Sequence, residues 1–163
     1  MQFQFATATK IVFGAGTINE AVSFAQGCGK KALVLTGRSK KRAEPLLERL
    51  SEQKIEHVTF SVGSEPTTET VANALAEAKK LAPDSVIGFG GGSVIDTGKV
   101  VAALLTNEGE LFDYLEVIGK GQKIQKSPLP YVAIPTTAGT GAEVTRNGVV
   151  ASPEHGVKVS MRS

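Results

Sequence analysis

Residues 85–99 read SVIGFGGGSVIDTGK, an apolar run that meets three consecutive glycines and then a helix-like stretch. Ser85–Phe89 reads as a strand, and a helix is expected from Ser93 to Thr106 with Ser93 as its cap. Glycine lets another backbone or a ligand come close, and a helix start presents free N–H groups at the positive end of its dipole. The chemistry this arrangement predicts is a phosphate, bonded by the N–H groups of Gly91, Gly92 and Ser93 and by the Ser93 hydroxyl. In a parallel sheet, ligands bind beyond the carboxyl ends of the strands, which is where these glycines fall.

The same strand–helix alternation extends in both directions. Toward the N-terminus, Lys10–Phe13 predicts a short strand, and Thr17 is placed to cap a helix running to Gln26 and closed by Gly27 and Gly29. Lys31–Thr36 (KALVLT) is a continuous apolar run, and Ser39–Gln53 an amphipathic helix with Leu46, Leu47 and Leu50 on one face. A strand over His57–Val62 and a helix from Thr67 to Leu81, ended by Pro83, complete the approach to residue 85. Toward the C-terminus, residues 107–130 are polar and irregular, anchored by Phe112, Tyr114 and Leu115. Leu129–Ile134 is a further strand, Thr136–Gly141 a loop of small residues, and Asn147–Ala151 one more strand. Gly156–Ser163 begins another strand in which the chain stops, so a truncated domain is expected. Alternation of this kind predicts an α/β fold with a doubly wound, mostly parallel sheet, helices on both faces, and one domain over residues 1–163.

Composition narrows the classes of function. A formal net charge of +2 over 163 residues offers no broad basic field for nucleic acid. The single cysteine, Cys28, excludes an internal disulfide and fits a reducing compartment. The start MQFQFATATK lacks the pattern of a signal peptide, and no apolar run approaches the ~20 residues that span a bilayer. A cytoplasmic protein without a membrane or nucleic-acid partner is the expectation. The two histidines, His57 and His155, lie in no metal-ligand spacing, so no metal site is expected in this chain. Nor does the glycine stretch match the usual phosphate fingerprints. Gly88-x-Gly90 lies on a late strand instead of the first, and Lys99 after Gly98 is followed by neither Ser nor Thr.

GGGSVIDTGK together with PTTAGTGAEVT at 135–145 resembles the iron-containing (group III, metal-dependent) alcohol dehydrogenase family. KIVFGAGT near the start and VKVSMRS at the end resemble the same family's opening and mid-chain, so the likeness runs in order along the whole sequence. It implies a Rossmann-like nucleotide-binding domain that a second, all-helical domain follows in relatives of roughly twice this length, a domain absent here. It implies hydride transfer between alcohols and aldehydes or ketones, with NAD(P) as cofactor and Fe2+ or Zn2+ held only in the full-length enzyme, by an Asp and three His of its second half. No catalytic residue is then expected in this chain. By the same likeness, Gly91, Gly92 and Ser93 hold the pyrophosphate, and Thr136 and Thr137 meet the adenosine half, with Gly139 and Thr140 shaping their loop. Thr145 and Asn147 reach the ribose and nicotinamide side, Lys158 lies near the ribose, and Asp96 lies near the nicotinamide or stabilises the helix start. Family dimers pair through an N-terminal strand, for which residues 2–9 (QFQFATAT) alternate suitably.

Where many NAD-preferring relatives carry an Asp after the second strand, this chain has Thr36-Gly37-Arg38-Ser39-Lys40-Lys41. A carboxylate there would repel a 2′-phosphate; Gly37 leaves room, and Arg38, Ser39, Lys40 or Lys41 offers a partner, so NADP is expected over NAD. A stand-alone NADP-binding module without catalysis is the alternative. Sister activities are disfavoured by particular residues: glycerol dehydrogenases usually carry Lys in place of Ser93, maleylacetate reductases lack the acid at Asp96, and dehydroquinate synthases differ after the glycines.

Overall fold

The computed structural model describes residues 2–3 and 7–162. Its centre is a four-stranded, wholly parallel sheet of β1 (Lys31–Thr36), β2 (Glu56–Ser61), β3 (Ser85–Gly90) and β4 (Tyr131–Pro135), in the order β2-β1-β3-β4. Side chains alternate across a strand, so β1 serves two cores at once. Ala32 and Val34 face α1 (Ile18–Cys28) and α2 (Glu44–Glu52), meeting Ala21, Val22, Ala25, Leu46 and Leu50. Leu33 and Leu35 face α3 (Thr68–Leu81) and α4 (Gly92–Leu104), meeting Val71, Ala74, Val100 and Val101. Every one of these residues from Ala32 to Leu35 is fully buried, which explains the unbroken apolar run. Truncating such a leucine to alanine costs about 2–5 kcal/mol.

Local chemistry sets the helix ends. Thr67 accepts a bond from the Thr70 N–H at 3.0 Å and opens α3, and Ala82 turns into the left-handed region at φ 51° before Pro83. Pro45 occupies the first turn of α2, where a missing N–H costs nothing. That places the start of the helix later than Ser39: residues 41–43 form a 3-10 turn, and Ser39 and Lys40 lie in the connection before it. Thr17 does precede α1, but its hydroxyl bonds the Gly14 carbonyl at 2.9 Å and makes no cap bond to the helix.

Two expectations about strands are corrected. Lys10–Phe13 forms no strand; Ile11 is 66% and Phe13 99% exposed, and no strand among the described residues pairs with them. Of the alternating stretch 2–9, residues 4–6 lie outside the described residues, and residues 2–3 and 7–9 are in no strand. At the other end, β5 (Asn147–Ser152) and β6 (Val157–Arg162) do not extend the parallel sheet. They pair with each other as an antiparallel hairpin, turning at Gly156 with φ 64°. A four-residue turn cannot supply the crossover that a parallel pair requires. The hairpin lies on α4, where Gly148 comes so close that a Cβ would stand 2.6 Å from Val100 Cγ2.

The irregular stretch after α4 is pinned by buried Asn107. Its amide donates to Ala103 O and Lys126 O at 2.9 Å, and its Oδ1 accepts from the N–H groups of Gln125 and Lys126, also at 2.9 Å. One helical turn, α5 (Leu111–Tyr114), seats Leu111, Tyr114 and Leu115 in the α3–α4 core.

Candidate functional site

From β1 the chain moves outward to β2; from β3 it moves the opposite way to β4. The sheet order therefore reverses between β1 and β3, with α2 and α4 departing to opposite faces. A crevice opens at such a point beyond the carboxyl ends of the strands. Three segments converge there: residues 36–41 after β1, the glycines after β3, and residues 136–141 after β4.

The three glycines divide the work. Gly90 ends β3, and a Cβ on it would stand 2.8 Å from Val94 Cβ, so it is needed for the strand to meet its own helix. Gly91 is the N-cap of α4, with extended backbone at φ −76° and ψ −177°, which corrects the expectation that Ser93 caps the helix. Ser93 is instead the second helical residue. The N–H groups of Gly92 and Ser93 stand in the first turn, where the helix itself supplies no acceptor. Across from them runs the β4–β5 loop. A Cβ on Gly91 would meet Thr137 Oγ1 at 3.4 Å, and one on Gly92 would meet Thr140 Cγ2 at 3.2 Å. Thr136 N–H donates to Gly90 O at 2.9 Å and fixes the start of that loop. The result is a half-buried helix start whose backbone amides stand beside the threonines of an exposed loop. Its donor set and dipole fit a phosphate.

The second group is gathered by α4. Asp96 Oδ1 pairs with Lys99 Nζ at 2.8 Å, both side chains being largely enclosed. The same ammonium donates to Ala142 O at 2.9 Å, to Thr145 Oγ1 at 3.2 Å, to Thr145 O at 3.5 Å, and to Asn147 O. Asp96, Thr145 and Asn147, predicted separately, thus meet through a lysine that sequence reasoning passed over. Its only signal was position, three residues after Asp96 and on the same face of a helix.

A third group lies at the mouth of β1 and β2. Space is open around Gly37, with nothing within 4 Å of the point where a Cβ would stand. Arg38 Nη2 donates to Gly63 O at 2.9 Å and Lys40 Nζ to Thr59 Oγ1 at 2.7 Å, both neutral oxygens. Ser39 is exposed between them. Lys158 on β6 is drawn elsewhere: it pairs with Glu65 at 2.6 Å in the connection from β2 to α3.

Two further glycines proved to have a packing purpose. Tyr131 lies between Gly88 and Gly98 and donates its hydroxyl to Ile95 O at 3.0 Å. Burial first, and then the negative charge of Asp96, push its pKa far above the ordinary tyrosine range, so it remains a protonated donor. Among the described residues, no three His, Cys, Asp or Glu side chains cluster as a metal centre requires.

A helix N-terminus at the reversal point of a doubly wound parallel sheet defines a Rossmann-like α/β domain. Within that class, the chain belongs to the iron-containing alcohol dehydrogenase family, whose profile matches residues 8–163. It is 37% identical over 163 residues to the sulfoacetaldehyde reductase of Bilophila wadsworthia (strain 3_1_6), covering 97% of this chain and 41% of that protein. The structure of a 1,3-propanediol oxidoreductase superposes with a TM-score of 0.88 at 32% identity, covering all of this chain and 43% of the other. That of the NADH-dependent butanol dehydrogenase A of Thermotoga maritima gives 0.85 at 32%, covering 99% and 41%. The chain therefore spans about two fifths of the length of the proteins it matches. No helix among the described residues is long and apolar enough to cross a membrane.

Proposed function

We propose that the chain is the nucleotide-binding part of an NAD(P)-dependent alcohol dehydrogenase, and that it binds NADP in preference to NAD. The observation that carries the reading is the α4 N-terminus at the reversal point of the sheet, faced by Thr137 and Thr140 across Gly91 and Gly92. In this reading the Gly92 and Ser93 N–H groups bond the pyrophosphate, and Thr136, Thr137 and Thr140 line the adenosine side. Asp96, Thr145 and Asn147 border the ribose and nicotinamide side. Bound NAD(P) supplies the hydride acceptor or donor; the protein residues bind it, orient it and close one wall around it. The substrate alcohol or aldehyde, and the iron or zinc of the family, are assigned to the larger part of the relatives that this chain does not span.

The preference for NADP rests on Gly37, Arg38 and Lys40. A 2′-phosphate needs room and positive charge; Gly37 leaves the room, and among the described residues the two cations meet the neutral oxygens of Gly63 and Thr59. The butanol dehydrogenase is named for NADH, so the preference proposed here rests on these residues and not on the fold. Calorimetric titration with NADPH and NADH tests the proposal. The expected result is tighter NADPH binding that Gly37→Asp weakens about tenfold or more, with NADH affected far less. Binding of NADH alone overturns the 2′-phosphate assignment, and binding of neither overturns the nucleotide site.

A further inference from the structure

We infer that Lys99 is a positioning residue: its ammonium clasps residues 142–147 onto α4 and aims the Asp96 carboxylate, Thr145 and Asn147 into the crevice. The consequence for ligand binding rests on the dinucleotide reading above; the clasp itself rests on geometry alone.

An Asp–Lys pair three residues apart on a helix commonly amounts to a few tenths of a kcal/mol and has no further partners. Lys99 is different because five oxygens converge on its three N–H donors. Three of the five are backbone carbonyls, of Ala142, Thr145 and Asn147, so the chain curls around the charge as a loop curls around a bound cation. Residues 136–146 contain no regular structure beyond the 3-10 turn Ala142–Val144, and residues 144–146 are exposed. The segment's described internal bonds are local, Val144 N–H to Gly141 O, Ala142 N–H to Thr140 Oγ1 and Thr145 Oγ1 to Ala142 O, and the Lys99 ammonium is what joins residues 142–147 to α4. Gly148 supplies the approach: a Cβ there would stand 3.0 Å from Asp96 O, and only glycine lets β5 come near enough for the ammonium to reach. A compact point charge suits this cage, and the planar fork of an arginine does not.

The test compares the full chain with Lys99→Ala in two ways. Amide hydrogen exchange without any dinucleotide should quicken about tenfold or more at residues 142–147 while β1 and β3 keep their protection. NADPH affinity should fall about tenfold or more, and propylammonium should restore much of it, because it returns a charge with three N–H donors. Tetramethylammonium, with equal charge and no donor, should not. Unchanged exchange at 142–147, an increase spread evenly over the chain, or equal effects of the two cations overturns the clasp. If Lys99→Ala does not fold, Lys99→Gln keeps most of the side-chain length without the charge, and the same local exchange pattern decides. Should the wild-type chain bind neither dinucleotide, the functional reading fails while the exchange result still judges Lys99.

Discussion

The glycines around β3 and those of the β4–β5 loop are present for opposite reasons. Gly88, Gly90, Gly92 and Gly98 have crowded surroundings: an added Cβ would press on Tyr131, Val94 or Thr140. None of them has a positive φ. Gly139 and Gly141 have nothing within 4 Å, but their φ values of 98° and 65° lie where side chains are disfavoured. The first set is selected by what approaches it, the second by the path of its own backbone. One residue type, clustered twice in one sequence, therefore answers two physical questions.

Substitutions can break that contrast. The largest effect is expected for Gly88→Ala, whose methyl group would run into the Tyr131 hydroxyl while the ring carbons stay at 3.2 and 3.4 Å. Chemical denaturation should show a loss of about 1–3 kcal/mol. In the Gly88→Ala/Tyr131→Phe double variant much of the loss should return, because the colliding oxygen is gone; simple additivity of the two changes would mean the crowding is not the cause. Next comes pH. Tyr131 has a raised pKa when folded, so its contribution is complete below the unfolded value near 10 and is lost as pH rises above it. Stability measured between pH 10 and 11 should fall by up to about 1.4 kcal/mol per unit from this group, and Tyr131→Phe should flatten that slope.

Gly141→Ala is expected to cost about 1–2 kcal/mol through its backbone alone, with no neighbour to relieve it. Gly141→Asn should cost less, since asparagine tolerates the left-handed region. Equal losses for the two variants would argue for a hidden steric contact. The smallest change in stability, about 0.5 kcal/mol, is expected for Gly91→Ala, whose Cβ meets Thr137 at an ordinary 3.4 Å. On the proposed dinucleotide reading its affinity should nonetheless drop clearly in a titration, because the methyl group would narrow the space between the Gly91 backbone and Thr137. A change in stability without a change in affinity would move the phosphate elsewhere.

Much of the fold was legible because its signals are local. KALVLT read as a doubly buried strand and SVIGF as a strand, and Thr67 and Pro83 bracketed α3 to within a residue or two. What could not be read lay in contacts distant in sequence. KIVF carries the composition of a strand, yet a strand exists only where a neighbour accepts its ladder, and composition is silent on neighbours. The last two strands were visible as apolar segments, but their seat on α4, where Gly148 comes close to Val100 and Asp96, was not.

Periodicity and the allowed angles of single residues were enough to establish that strands alternate with helices, which faces of those elements are apolar, and that glycines end β3 where a helix begins. Three other features emerged only once the chain was folded: which glycines make room for Tyr131, that Gly91 and not Ser93 caps α4, and that one lysine gathers Asp96, Thr145 and Asn147. The tyrosine and the lysine bring together groups up to about fifty residues apart, through the order of the strands and not the spacing of the residues. The helix start depends on how closely β3 must pass Val94 before its chain can turn.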